Sequence, residues 1–311
     1  MYGFPVDLQL AQVNIARLRQ PIDHVDTAAF ADALPVINGL GDRSPGFVWR
    51  LQTEFGDATS LQGFDDPMII SNLTVWDSVE SLRAFAYHGE HRAYFQRRDE
   101  WFHPDGSATA MWWVVAGERP TLRDARDRLE FVGRFGTSPY AFRMGQRHPR
   151  VVVVRTDLRS AVAAELITSL NDELLRFDPD PAQHHFGLDP EQVRAGAGGF
   201  FVAYVDGAPM GCGAYRIIDG DSVMPGGVSL VTAEIKRMYV APAARGLKVG
   251  AGILATLQSA AAADGAGQLV LETGDELEAA TNLYRRCGFE RIEPWGEYAT
   301  TSYSRCYGRL L

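Results

Sequence analysis

The sequence predicts two domains in tandem, an α+β domain followed by a mixed α/β domain. Three observations carry this reading. The chain has 311 residues, enough for two domains on a prior of roughly 150 residues each. The first half orders its periodic segments β-α-β-β-α-β, a split βαβ pattern. In the second half, Thr232–Gly252 (TAEIKRMYVAPAARGLKVGAG) reads as strand, glycine-bearing loop and helix start. Between the halves Gly136–Arg150 is rich in Gly, Pro and Arg without periodicity. The expected division is 1–145, a linker at 146–150, and 151–311.

In the first half, residues 8–15 alternate as a strand does, and an apolar-periodic helix follows over Val25–Gly39. Phe47–Glu54 and Pro67–Trp76 read as strands joined by a Gly/Asp-rich loop. Ser78 is a good N-cap for a long helix to about Phe102, with Glu80 placing favourable charge in its first turn. Thr109–Ala116 is the last strand, and a further helix, Leu122–Phe135, follows Pro120-Thr121. This order is the ferredoxin-like arrangement.

In the second half, Val151–Arg155 (VVVVR) is a near-continuous apolar run consistent with a buried strand. A helix runs from Asp157 or Ser160 to about Leu175, before an acidic, Pro-interrupted loop containing His184 and His185. Gly199–Val205 and Pro209–Ile218 form a hairpin about Asp206-Gly207, a strong two-residue turn signal. Residues 219–229 connect to the central strand. There, alternation places Glu234, Lys236, Met238 and Val240 on one face, and Ile235, Arg237 and Tyr239 on the other. Val249, Ile253 and Leu257 give the following helix its apolar stripe. The helix N-terminus behind a glycine loop is an anion cradle, because its first N–H groups lack helical partners.

Composition excludes several classes. Apolar residues make up 46% and charged residues 22%, ordinary for a globular protein. The net charge of −9 divides into −3 over residues 1–150 and −6 over 151–311. Neither half offers a basic stripe, which argues against a nucleic-acid partner; an acidic surface weakly favours a cationic acceptor. Cys212, Cys287 and Cys306 show neither a CxxC pair nor a zinc spacing, so no metal is expected. The N-terminus shows no basic, apolar leader, and no stretch approaches the ~20 apolar residues of a membrane span. A cytoplasmic protein with no membrane partner is the expectation.

The loop Arg245-Gly246-Leu247-Lys248-Val249-Gly250, with AEIKRMYV before it and LVLETGD and AATNLYRRCGF after it, resembles the acyl-CoA-binding region of the GNAT N-acetyltransferase superfamily. These segments keep the family's order and approximate spacing across most of residues 151–311. Lys248 stands where the family most often has glycine, and Leu277 where it often has asparagine. The resemblance implies acetyl-CoA as co-substrate. Met238, Tyr239 and Val240 would lie along its pantetheine arm, and Arg245, Gly246, Leu247, Lys248, Val249, Gly250 and Ala251 would hold its pyrophosphate. It further implies Glu234 as general base and Tyr284 as the acid that protonates the leaving thiolate. An ordinary strand-to-helix turn, a salt-bridged strand carboxylate and an aromatic packed on the sheet are the plain alternatives. Glu272, Trp295, Tyr298 and Tyr303 are candidates for the acceptor pocket.

The segments NLTVWDSVESLRAFAYHGEHRAYFQRRDEWF and AMWWVVAGERPT resemble a family of the dimeric α/β-barrel superfamily, related to the antibiotic-biosynthesis monooxygenases. That resemblance implies a homodimer through the N-terminal domain, in which two open sheets close into one barrel and remove exposed edges. His88 and His91 are neighbours at i and i+3. His91, with Trp101, is the candidate N-terminal pocket; a helix packing aromatics on its sheet is the alternative. Fold alone decides nothing about chemistry here.

Amine attack on a thioester needs a base for the ammonium proton, a donor for the thiolate and an N–H aimed at the oxyanion. The sequence offers a candidate for each. The leading expectation is an acetyl-CoA-dependent N-acetyltransferase acting on a small-molecule amine by direct transfer. The alternatives are an acyl-CoA sensor without turnover, and a bifunctional protein whose N-terminal domain is an oxygenase or haem enzyme.

Overall fold

The computed structural model describes residues 6–87, 89–177, 187–218, 230–274, 277–299 and 304–311, apart from the side chains of 89–91, 177 and 304. The chain divides into two compact units between Arg150 and Val151.

The first unit holds β1 (Leu8–Arg17), α1 (Ala28–Asp42), β2 (Phe47–Arg50), β3 (Ile69–Trp76), α2 (Val79–Tyr87), α3 (Gly89–Gln96), β4 (Ala108–Val115) and α4 (Leu122–Phe135). Its four strands form an antiparallel sheet in the order β2-β3-β1-β4. β2 ends four residues earlier than expected, at Arg50, because Thr53 N–H and Oγ1 both donate to the Asp57 carbonyl and turn the chain at Gly56. The helix expected to reach Phe102 ends at Gln96 and gives way to a 3-10 turn over Arg98–Glu100. α4 starts in a capping box, with Thr121 and Asp124 satisfying each other's backbone N–H.

The first part of the Gly- and Pro-rich stretch 136–150 packs into this unit. Phe142 exchanges both backbone hydrogen bonds with Met111 on β4, and its ring joins Leu10, Trp76, Leu82 and Met111 in a buried cluster. Tyr140 is buried beneath the Arg128 guanidinium, 3.5 Å from the ring centroid. A composition rich in Gly and Pro indicates irregular backbone, and irregular backbone can still pack.

The second unit holds β5 (Val151–Arg155), α5 (Ala161–Phe177), β6 (Gly198–Val205), β7 (Ala208–Ile218), β8 (Thr232–Val240), α6 (Val249–Ala263), β9 (Gln268–Gly274), α7 (Glu278–Arg286), β10 (Glu290–Ile292) and β11 (Ser304–Leu310). Its seven-stranded sheet runs β10-β11-β9-β8-β7-β6-β5. Among the described residues only the β8–β9 pair is parallel, as a strand–helix–strand crossover through α6 requires. The β6–β7 turn puts Asp206 and Gly207 at φ 46° and 86°, the left-handed pair a tight hairpin needs.

Helices cover both faces of this sheet. Cys212, Ala214 and Tyr239 pack against Ala163, Leu166 and Leu170 of α5. The intervening β7 glycines meet α6: a Cβ on Gly213 would come within 2.7 Å of Ile253 and of the Met238 sulfur. Val249, Ile253 and Leu257 are all at most 2% exposed, so the expected apolar stripe is the buried one. Burying each such side chain contributes about 1.5–3 kcal/mol.

Candidate active site

The strand–loop–helix at the centre of the second unit is built from backbone geometry. A 3-10 turn over Pro242–Ala244 ends β8's exit; Gly246 then has φ 81° and Lys248 φ 62°. Two left-handed residues, one apart, thus lead directly into the helix start. The first intrahelical bond is made by Gly252 N–H to the Lys248 carbonyl, so the amides of Val249, Gly250 and Ala251 come before the ladder. Lys248 offers no side-chain cap, and the first turn contains no acidic residue. The positive end of α6 is therefore left for an anion to complement. Lys248 accepts a conformation that costs an L-residue about 1–2 kcal/mol, which explains why glycine is the easier residue there.

Side chains fix this loop from below. Arg245 donates from Nε to the Val240 carbonyl at 3.1 Å and from Nη2 to both oxygens of Glu173 on α5, at 2.6 and 2.5 Å. Its guanidinium braces the loop. A Cβ on Gly250 would lie 3.3 Å from Leu283 of α7 and 3.4 Å from Val240, so a small residue lets α6 sit on both.

β8 and β9 part beside the loop. Their parallel register runs from Thr232↔Gln268 to Ile235↔Leu271 and stops there. β8 continues along β7 to Val240↔Gly211, and β9 along β11 to Gly274↔Ser304.

A bulge corrects the expected faces of β8. The β7–β8 register shifts between Cys212 and Ala214, and Arg237 takes φ 58°. Beyond it the alternation reverses. Glu234 and Lys236 share a face with Arg237, whose Nη1 donates to Asn171 Oδ1 of α5 at 3.0 Å, and with Tyr239 in the α5 cluster. Met238 and Val240 lie on the α6 face, against Gly213 and Gly250. One extra residue moves every later side chain to the other side, so Met238 and Val240 do not share a face with Glu234.

Glu234 is 1% exposed and lies in a network that sequence reasoning found only in part. Its Oε2 accepts from Arg216 Nε at 2.6 Å, and Oε1 accepts from Tyr298 OH at 2.5 Å. Lys236 Nζ lies 3.6 Å from the same Oε1 and donates to Tyr298 OH at 3.0 Å. Glu297 Oε1 stands 3.3 Å from Arg216 Nη2 and 3.5 Å from Lys236 Nζ. Burial, and then the charge of Glu234 and its hydrogen bond, push the Tyr298 phenol far above its ordinary value, so it stays protonated. Trp295 packs edge-on against Tyr298, with ring centroids 5.1 Å apart. Arg216 and Glu297 drew no attention in the sequence; the signal was the Arg216↔Glu234 cross-strand pair, visible once the β7–β8 register is known.

Tyr284 is 5% exposed on α7 and contacts Phe289 edge-on at 6.0 Å. Burial raises its phenol, with the Glu272 carboxylate and Cys287 adding to the effect, so it too holds its proton. α7 ends in a Schellman motif: Gly288 has φ 84°, Phe289 N–H bonds to the Tyr284 carbonyl and Gly288 N–H to that of Arg285. Glu272 is half-buried on β9 opposite Cys306. The three cysteines are buried, with Cys212 pushed up to about 12 by desolvation against the opposing charge of Arg237, and Cys306 up to about 11.

Other expectations fall outside the described residues: His88, His184, His185, Tyr303, the 219–229 connector and the His91 side chain. Trp101 is 4% exposed, set against Phe30 of α1 at 5.7 Å and covered by Arg97 at 4.8 Å. Among the described residues no helix is long and apolar enough to cross a membrane.

The second unit is thus a mixed α/β transferase fold with an uncapped helix start where its parallel strands part. Residues 164–289 match the model of the Acetyltransferase (GNAT) family, and residues 9–155 match one described as a domain of unknown function (DUF3291). An "IAA acetyltransferase" of Azospirillum brasilense is 34% identical over 145 residues, spanning 46% of this chain and 89% of that protein. Among solved structures, a GNAT-family acetyltransferase from Staphylococcus aureus is 19% identical with a TM-score of 0.42, covering 52% of this chain and 99% of that one. A GNAT-family acetyltransferase from Elizabethkingia anophelis, solved with acetyl-CoA bound, is 17% identical with a TM-score of 0.36, covering 52% and 98%. The chain belongs to the GNAT acetyltransferase family through its C-terminal half. GNAT acetyltransferases use acetyl-CoA as the acyl donor.

Proposed function

We propose that residues 151–311 transfer the acetyl group of acetyl-CoA directly to a small-molecule amine. The observation that carries this is the run of amides at Val249–Ala251, entered through left-handed Gly246 and Lys248, beside the end of the β8–β9 ladder. The pyrophosphate rests on those amides. The pantetheine arm runs along Met238, Tyr239 and Val240, where β8 has left β9. The amine attacks the thioester carbonyl, a C–N bond forms and the C–S bond breaks. Tyr284, kept protonated by its burial, gives its proton to the leaving thiolate.

Glu234 takes the amine's proton through Tyr298. It has no surface of its own, so the phenol that already donates to it passes one proton inward as it receives another. Trp295 and Glu272 flank this side, with Tyr303 as a further candidate.

The N-terminal unit is a ferredoxin-like module of the dimeric α/β-barrel type that pairs two copies of the chain. Support comes from its strand order and its all-antiparallel pairing, with β1 central between β3 and β4. The protein works in the cytoplasm.

The test is mass spectrometry of acetylated products after incubation of acetyl-CoA with a host metabolite extract, comparing wild type with Tyr284→Phe. A product that falls by about 10²-fold or more in the variant fits a lost general acid. Equal product in both would overturn the assignment of Tyr284. Binding of acetyl-CoA with no product in either would favour a sensor.

A further inference from the structure

We propose that Lys236 is an acetylation site of the chain itself: with acetyl-CoA bound and no acceptor present, its Nζ takes the acetyl group and becomes an amide. The inference rests on the reading that residues 151–311 transfer acetyl to an amine, and it adds a regulation of that same site.

The first observation is one of composition. Of the 30 basic residues in the chain, Lys236 and Lys248 are the only lysines, although lysine is ordinarily among the commonest residues. The others are arginines, which carry charge but offer a thioester no amine. Both lysines fall within Thr232–Gly252, one on β8 and one at the N-cap of α6. Charge alone does not explain an ammonium at 236, since arginine fills that role at all but one of the other basic positions. Lys248 is exposed, whereas the Lys236 side chain is 7% exposed. A reagent from solvent reaches Lys236 poorly; a thioester delivered along β8 arrives beside it.

The second observation is geometric: what an amine needs before it attacks is already assembled on Nζ. It donates to Tyr298 Oη at 3.0 Å, and that phenol donates to Glu234 Oε1 at 2.5 Å, with Nζ itself 3.6 Å from the same oxygen. A hydrogen-bonded path thus joins this amine to the base. The β8–β9 ladder ends at Ile235, the residue before Lys236. A pantetheine arm running from the Val249–Ala251 amides back along Val240 and Met238 brings its thioester to that end of the split. Lys236 is two residues, about 7 Å, from Met238, and its four-carbon stem is flexible. The Nζ–C bond forms and the C–S bond breaks. An ammonium that becomes an amide sheds two protons. One passes through Tyr298 to Glu234 and on to water; the other matches the proton that Tyr284 gives the thiolate. The modified side chain has lost its charge, while Arg216 keeps its 2.6 Å bond to Glu234.

The experiment incubates the full chain with acetyl-CoA alone and follows it by intact mass, then by peptide mapping of the two lysines. One acetyl group should appear on Lys236, at least about ten-fold faster than on the exposed Lys248. In the urea-unfolded chain the two lysines should react alike. Lys236→Arg should lose the adduct, and in wild type the adduct should survive hydroxylamine, which strips acetyl groups from cysteine and tyrosine. Faster labelling of Lys248, equal rates at the two lysines in the folded chain, an adduct that hydroxylamine removes, or no adduct would each overturn the proposal. Titration calorimetry with acetyl-CoA separates the two failures. If it binds and Lys236 stays unmodified, the transferase reading stands and this proposal falls; if it does not bind, that reading falls and the proposal with it.

Discussion

Glu234→Gln tests whether the buried network holds the second unit together. The carboxylate accepts at both oxygens, from Arg216 at 2.6 Å on one and from Tyr298 at 2.5 Å, with Lys236 3.6 Å away, on the other. A glutamine has one acceptor and one amide donor. If the NH₂ faces Arg216, two donors oppose each other. If it faces Tyr298, the phenol must accept from it while already accepting from Lys236. Either way one charge-assisted hydrogen bond is lost, about 1.5–3 kcal/mol. Among the described residues, Arg216 and Lys236 then share the half-exposed Glu297 as their carboxylate. Removing one partner of a fully buried pair costs about 3–5 kcal/mol. With Tyr298 and Glu297 still present, the expected loss is about 2–4 kcal/mol. Hydrogen–deuterium exchange at increasing urea reads this unit separately from the other. Amides of β8 and β9 in the variant should open at clearly lower urea, and those of β1 and β3 at the wild-type value. Unchanged protection of β8 would refute the structural role and leave Glu234 as a base alone.

Other outcomes follow from the same geometry. Lys248→Gly removes a left-handed strain of about 1–2 kcal/mol while adding unfolded-state freedom of about 0.5–1 kcal/mol, so stability should hold or rise slightly in denaturant titration. Lys248→Ala keeps the strain, and calorimetry of both variants with coenzyme A separates the backbone from the charge. Gly213→Ala brings a methyl within 2.7 Å of Ile253 and Met238, and should cost about 1–3 kcal/mol in the same denaturant assay. Cys212 titrates near 12 in the folded protein against its ordinary 9, burial being the cause. The raised value means its contribution is complete below pH ~9 and is lost as pH rises toward 12, roughly 1 kcal/mol by pH 10. Cys212→Ala should flatten the fall of the urea midpoint between pH 8 and 10.

Local signals carried much of the second unit. The Asp206-Gly207 turn, the valine run of β5 and the apolar stripe of α6 each have a cause within a few residues, and each element stands where its pattern puts it. In the N-terminal unit the succession of strands and helices along the chain was legible, while the ends of β2 and of the helix after Ser78 were not. What was not legible depends on register between segments joined by long connections. Arg216 meets Glu234 only because β7 and β8 align across residues 219–231, a connector too long for any turn type to fix. The ring of Phe142 on β4 is the same case: nothing near Phe142 in sequence announces that a Gly- and Pro-rich stretch will pack.

The bulge at Arg237 shows why a period-2 reading failed along β8. A regular β8 would carry Glu234, Lys236, Met238 and Val240 on one face, crowding the charged network and the apolar contacts to α6 together. The extra residue sends Met238 and Val240 to α6 and keeps Glu234 and Lys236 beside Arg216 and Tyr298. It stands just past Ile235, where β8 loses β9 as a partner. One left-handed residue thus separates a half-strand committed to the charged network from a half-strand committed to the helix whose amides face the loop. Arg237 bears that strain because its guanidinium is anchored to Asn171 and its carbonyl accepts from the Cys212 thiol at 3.4 Å. An inserted residue survives in a buried strand only when its surroundings over-determine it, and here side chains from α5 and β7 do so.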